Sequence, residues 1–201
     1  LHMVYIDFSK PPFNDVRVRR ALNLAINRES FVLATLAGLA EPSTTVYPKD
    51  FWAHDPALAG LLAYDPDRAR ALLKEAGSPE VTFTGIGYSD QAAVQRQEVL
   101  IEMWSKVGFR PRFRSATVAD AANAFFFQRQ TDTFLAAITP RPDPSMVVYT
   151  IFGKSSPYNG GRQEIAGMEE ALSASRVGAT QQERKVGLSR VQRIACEQAV
   201  F

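Results

Sequence analysis

Between Val81 and Ser115 the hydrophobic period changes twice, and these changes constrain the fold more than any other stretch. Val81 to Tyr88 alternates, with Val81 and Phe83 against Thr82 and Thr84, as a half-buried strand does. From about Ala92 to Val107 the apolar residues Leu100, Met103, Trp104 and Val107 fall at i, i+3, i+4 and i+7, one face of a helix, and Gly108 ends it. Phe109 to Ser115 reads as a second strand. Strand–helix alternation of this kind predicts an α/β domain. The remaining elements fit it: a strand over Val4–Phe8, a short helix over Glu29–Leu36 that stops at Gly38, and a helix opened by an Asp65 cap and Pro66. That helix turns Ala69, Leu72, Leu73 and Ala76 inward and stops at Gly77. A helix over Val118–Gln128, an apolar strand over Thr133–Thr139, and helices over Ser145–Phe152, Glu164–Ala174 and Thr180–Val200 complete the pattern. No internal repeat or low-complexity segment is visible.

Lys10 to Glu29, KPPFNDVRVRRALNLAINRE, is a second distinctive stretch. Pro11 and Pro12 force an extended approach. Asn14 or Asp15 can cap the helix that follows. Val18, Ala21, Leu22 and Ala25 make its buried stripe, with Arg17, Arg19, Arg20 and Asn23 largely off it. Arginines in a first turn oppose the helix dipole, so an acidic neighbour or a use for positive charge is expected. Ala40 to Ala63, rich in Pro, Asp and aromatic residues, is a long connection of the kind that is functional or packed over something.

The 201 residues suit one domain with a real core. A net charge of +2, from 23 basic and 21 acidic residues, gives no long-range pull toward nucleic acid or an anionic membrane. One cysteine, Cys196, excludes a disulfide within the chain and reads as a small core residue. No apolar run approaches the ~20 residues of a membrane span. Leu1-His2-Met3 reads as a cloning scar.

Enzymatic motifs are thin. His2 and His54 have no neighbours at zinc-ligand spacing, and His54 reads as structural. No GxSxG elbow is present. Gly85-Ile86-Gly87 lacks the third glycine of a dinucleotide loop and reads as backbone freedom at a strand end. Arg110, Arg112 and Arg114 share one sheet face. They are too narrow for phosphate recognition and read as a solvated face with Phe113 turned inward. Phe125-Phe126-Phe127 cannot all face one core from a regular helix, so at least one should meet another element, a partner lobe or a ligand.

Four phrases in order resemble one family: KPPFNDVRVRRALNLAINRE, YDPDRARALLKEAG (Tyr64–Gly77), EMWSKVGFRPRF (Glu102–Phe113) and PDPSMVVYTIF (Pro142–Phe152) followed by SPYNGG. The family is the extracytoplasmic solute-binding proteins of the dipeptide/oligopeptide/nickel type, which feed ABC importers. The resemblance implies an α/β, periplasmic-binding-protein-like (type II) lobe with a central mixed sheet flanked by helices. It implies that residues 1–201 form a single domain, most of the C-terminal lobe of a two-lobed clamp, without the other lobe or the final strands. It further implies a small-molecule solute, a membrane permease as partner, no nucleic acid, no cofactor, no metal, no catalysis, a monomer, and a periplasmic or lipid-anchored location. A solute-sensing domain of a cytoplasmic regulator would share these motifs. A hydrolase or transferase would need a nucleophile–base pair.

In such binders ligands sit at loops after strand ends. Two loops qualify. Gly85–Gln91 offers Tyr88, Ser89 and Asp90. Thr139–Asp143 offers Thr139, Arg141, able to grip a carboxylate or phosphate bidentately, and Asp143, which also suits a helix cap. Trp52 can stack on a ligand or anchor its loop. The peptide-binding members of the family carry an acidic residue shortly before the Asp-Pro step, which holds the peptide ammonium. Here the stretch is Ile138-Thr139-Pro140-Arg141-Pro142, which shifts the expected ligand toward anionic or uncharged solutes: modified peptides, opines or sugar conjugates.

Overall fold

The computed structural model describes residues 1–139 and 141–201. Four strands form one mixed sheet in the order β1-β4-β2-β3: β1 (His2–Ile6), β2 (Val81–Tyr88), β3 (Phe109–Ala116) and β4 (Thr133–Ala137). β2 lies parallel to both β3 and β4, and β1 runs antiparallel to β4. The helices are α1 (Val16–Leu24), α2 (Arg28–Leu36), α3 (Pro66–Glu75), α4 (Gln91–Ser105), α5 (Val118–Ala122), α6 (Pro144–Phe152), α7 (Met168–Val177) and α8 (Gln181–Gln198).

Both sheet faces are covered, as strands buried on two sides require. On one face Phe13, Val18, Leu22, Leu73 and Trp104 of α1, α3, α4 and their approaches pack on Ile6, Phe83, Phe109 and Leu135. Trp104 is fully buried, and its indole N–H donates to the Leu22 carbonyl at 3.0 Å, so its polar end is satisfied too. On the other face Phe125, Phe126, Val148, Ile151, Leu172 and Leu188 cover Tyr5, Ile86 and Phe134. The alternation of β1 divides Met3 and Tyr5 from Val4 and Ile6 between these two cores. Met3, read above as part of a scar, is a buried core residue, and His2 pairs with Ala137 in the sheet.

The caps follow the sequence. Asp15, Asn27, Asp65, Asp90 and Asp143 each accept an N–H at the start of their helices. Gly77 and Gly108 carry φ of 76° and 118°. Val18, Ala21, Leu22 and Ala25 are buried as the stripe predicts. Cys196 is buried, with its thiol directed at the Thr44 carbonyl. The long connection 40–63 is packed down through Val46, Tyr47, Ala53, Leu58 and Leu62.

Several expectations change. β1 is shifted to begin at His2, β4 ends at Ala137, and α7 begins only at Met168, because Gly167 with φ of 76° interrupts the backbone before it. The helix expected over Val118–Gln128 converts after Ala122 into one π turn, Asn123–Phe127. The wider turn lets Phe125 and Phe126 both enter the core, and only Phe127 is exposed. Arg19 and Asn23, expected off the buried stripe, are buried. Arg19 donates to the carbonyls of Phe13 at 2.7 Å and Gln198 at 2.9 Å, and Asn23 donates to that of Phe201 at 2.8 Å. Only Arg17 has the anticipated acidic neighbour, Asp15 at 2.6 Å. Arg20 instead donates to the Glu197 carbonyl at 2.6 Å, so two arginines of α1 complete the C-terminal end of α8.

Gly85 and Gly87 do not supply the backbone freedom at a strand end that the sequence suggests. Both lie inside β2 with ordinary strand backbone, and a Cβ on Gly85 would enter the Phe113 ring while one on Gly87 would strike the Gln97 amide. Space is what they supply. β3 is a sheet edge whose Arg110, Arg112 and Arg114 face solvent, Arg110 paired with Glu80 and Arg114 bonded to Gln130 at 2.7 Å. Phe113 turns inward onto Trp104.

Candidate functional site

Register brings the two proposed loops to one edge of the sheet. Gly87 lies opposite Leu135 in the parallel pair, and Ala137 opposite His2 in the antiparallel pair. The ends of β2 and β4 and the start of β1 therefore meet. Residues 88–90 and, among the described residues, 138–139 and 141–143 follow the strands there, at the carboxyl ends of parallel strands, where open α/β sheets bind ligands.

Tyr88 is half-buried, its ring 5.6 Å from Phe134. Burial raises the pKa of its phenol, against a hydrogen bond at the Ala137 backbone that lowers it. Ser89 is exposed. Asp90 caps α4 by accepting from the Ala93 N–H at 2.9 Å. Thr139 and Arg141 are exposed, and Arg141 has no hydrogen bond or ion pair among the described residues. Pro140, between them, lies outside the described residues.

Asp143 has two duties. It caps α6 by accepting from the Ser145 N–H at 2.8 Å and hydroxyl at 2.7 Å, and it pairs with Arg184 of α8 at 2.6 Å. Partial burial raises its pKa, but the bonds from Ser145 and Arg184 outweigh this and hold the carboxyl below the usual range. Trp52 is half-buried, its ring 5.8 Å from Phe51 in a loop that the Tyr47 hydroxyl ties to the Pro144 carbonyl at 2.8 Å. Trp52 also packs against the core cluster to which Tyr47, Val147 and Val148 belong. His54 reads as structural: its Nδ1 lies 3.1 Å from the Tyr47 carbonyl.

The sequence reading missed three residues. Buried Gln97 donates to the Tyr88 carbonyl at 2.8 Å and accepts from the Ser115 hydroxyl at 3.2 Å, so it fixes the ends of β2 and β3 against α4. Gly87 was its one signal, since a glycine inside a strand marks a close approach. Arg184 left no signal, because its partners Asp143 and Ser175 are set by the packing of distant elements, and Arg96, near Asp90, left none either.

Among the described residues no group of three or more His, Cys, Asp or Glu could hold a metal ion, and no helix is long and apolar enough to cross a membrane.

Comparisons with known proteins agree on the fold. The family model described as bacterial extracellular solute-binding proteins, family 5, middle region, matches residues 1–159. "Heme-binding protein A" of Haemophilus influenzae is 25% identical over 197 residues, covering 94% of this chain and 36% of its own length. "Glutathione-binding protein GsiB" of Salmonella typhi is 40% identical over 126 residues, covering 59% and 23%. Among solved structures, a DppA periplasmic binding protein from Helicobacter pylori with the peptide STSA superposes with a TM-score of 0.89 at 21% identity, over 98% of this chain and 40% of that one. MoaA from A. tumefaciens with mannopinic acid gives 0.85 at 21% identity, over 100% and 41%. The chain spans well under half the length of each of these proteins.

Proposed function

The chain belongs to the bacterial extracellular solute-binding proteins of family 5, and from that premise we propose that it forms most of the C-terminal lobe of a two-lobed clamp serving a membrane ABC importer. The clamp captures a small solute by closing the two lobes on it, with no chemical step. Binding free energy comes from burying the solute between lobes and pairing its polar groups. The protein acts outside the cytoplasmic membrane, as a monomer.

One observation carries this reading beyond family membership. The ends of β2 and β4 present an open polar edge, with Tyr88, Ser89, Thr139 and Arg141 available while the nearby carboxylates are engaged: Asp90 and Asp143 both cap helices and Asp143 is also neutralised by Arg184. Such an edge suits an uncharged or anionic solute of the peptide-like, opine or sugar-conjugate class. Relatives whose names or complexes involve glutathione and mannopinic acid lend support.

The test is native mass spectrometry of the full-length protein purified from its source, with a retained small solute expected. Calorimetry supplies the complement: the 201-residue chain alone should bind poorly, because half the cleft is absent. Micromolar binding of a solute by this chain alone would sink the clamp.

A further inference from the structure

Among the described residues four that are not glycine adopt a left-handed φ: Ala37, Arg129, Arg162 and Ala199. Ala37 and Ala199 end helices α2 and α8. The other two are arginines in connections, Arg129 at φ 53° just after the π turn and Arg162 at φ 47° after Gly160-Gly161. An L side chain is strained in this region, where glycine is not. Strain of this kind gathers at functional sites, where the surroundings hold it in place. Two arginines in the conformation of glycine therefore point to a use for their charge.

Both connections touch the segment that follows β1. Asp7 donates its N–H to the Asp132 carbonyl at 2.8 Å, three residues after Arg129. Gln163, next to Arg162, donates to the Phe8 carbonyl at 3.3 Å, and a Cβ on Gly160 would stand 2.4 Å from the Ile6 carbonyl oxygen. The rings of Phe126 and Tyr158, one from the approach to each arginine, meet edge-on at 5.1 Å. The two guanidinium groups are close enough to repel: burial lowers the Arg162 pKa first, Arg129 lowers it further, and Asp7 offsets this only in part. Neither guanidinium has a hydrogen bond or an ion pair among the described residues. The carboxylates at hand are engaged. Asp7 Oδ1 accepts from the Ser9 N–H at 3.1 Å and hydroxyl at 2.5 Å. Asp132 accepts from the Thr84 N–H at 2.8 Å and hydroxyl at 2.7 Å, and pairs with Lys10 at 3.0 Å. Arg114, bonded to Gln130 beside Arg129, adds a further cation.

This place lies at the end of β1 and the start of β4, the opposite end of the sheet from the candidate cleft. We propose that Arg129 and Arg162 together hold a phosphate group, each offering one fork of donors. A carboxylate has two oxygens and is filled by a single guanidinium, whereas a phosphate has the oxygens and the charge for two. A bound phosphate also cancels the repulsion between the two arginines. The site is separate from the cargo cleft and stands whether or not the clamp reading does.

Inorganic phosphate is the probe. Equilibrium dialysis of the full-length protein against radiolabelled phosphate, at constant sodium chloride, is compared with Arg129→Gly and Arg162→Gly. Glycine suits the left-handed backbone, so both variants should unfold at urea concentrations close to that of the wild type, which leaves affinity as the readout. The expected result is saturable binding by the wild type, weaker by about tenfold or more in each variant. Wild-type affinity in both variants, or equally tight binding of labelled acetate, overturns the proposal. Sedimentation with vesicles of phosphatidylglycerol and phosphatidylcholine separates two sources of the phosphate. More wild type than variant in the pellet identifies a lipid headgroup. Phosphate binding without that difference identifies a soluble phosphate. Absence of both overturns the site.

Discussion

Arg184 Nη2 lies 2.6 Å from Asp143 Oδ1, across 41 residues of chain. The contact ties the first turn of α8 to the loop that leaves β4, and Arg184 Nε also donates to the Ser175 carbonyl at the end of α7. One guanidinium thus joins the last two helices to the candidate cleft. The loop carrying Thr139 and Arg141 is held at its far end by this pair and by the Asp143 cap.

That pair gives a pH signature. The folded-state pKa of Asp143 is depressed, so its contribution to stability is present above the unfolded value and is lost as pH falls through the folded one. Asp143→Asn keeps the cap and removes the charge. Urea midpoints should put the wild type ahead by up to about 1 kcal/mol at neutral pH, with the gap closing below about pH 4. A constant gap down to pH 2.5 would mean that the charge does not supply the difference.

Arg19 should matter more than Arg17, although they are neighbours in sequence. Arg19→Met leaves the buried carbonyls of Phe13 and Gln198 without their donor and should cost roughly 2–3 kcal/mol. Arg17→Ala removes an exposed pair and should leave the unfolding midpoint nearly unchanged. Thermal unfolding of the two variants decides between this order and its reverse.

The phenylalanine run should split. Phe126 sits 5.0 Å from Tyr5 and 5.7 Å from Phe134 in edge-on contacts, and Phe126→Ala should cost about 3–5 kcal/mol. Phe127→Ser should be tolerated, since its ring stands in solvent. Equal losses would contradict the π turn that separates them.

Gly85→Ala should destabilise by about 1–3 kcal/mol, because the new methyl falls on the Phe113 ring. Combining it with Phe113→Leu should return part of the loss. A double variant no better than the sum of the single changes would place the strain elsewhere.

Cys196 should be silent to thiol reagents in the folded chain. Burial pushes its thiol up to about 12, with Arg28 pulling the other way, so almost no thiolate exists at neutral pH. Labelling should track urea unfolding. Rapid labelling of native protein would show that the α8 end opens on its own.

The elements were legible because their signals are local. The Asp65 cap, the Pro66 entry and the Gly77 stop bounded α3, and the two-residue period of Val81–Tyr88 set β2. The four quoted phrases carried the family for the same reason. Short-range patterning also divided β1 between two cores, since side chains alternate whatever the neighbours are. The π turn at Phe125–Phe127 was not legible, because a single widened turn is chosen by the packing of both rings on Tyr5 and Phe134.

The partnerships of charge were not legible either. Nothing between Asp143 and Arg184, or between Arg19 and Gln198, marks them as neighbours, because those contacts form only once α8 folds back across the sheet. By itself the sequence determined most of the helices and strands and the α/β class. Tertiary structure alone decided which arginines at that framework are spent. A guanidinium finds its acceptors by the distance between elements rather than by spacing along the chain, and that distance is what gives Arg19 the Phe13 and Gln198 carbonyls and Arg184 the Asp143 carboxylate.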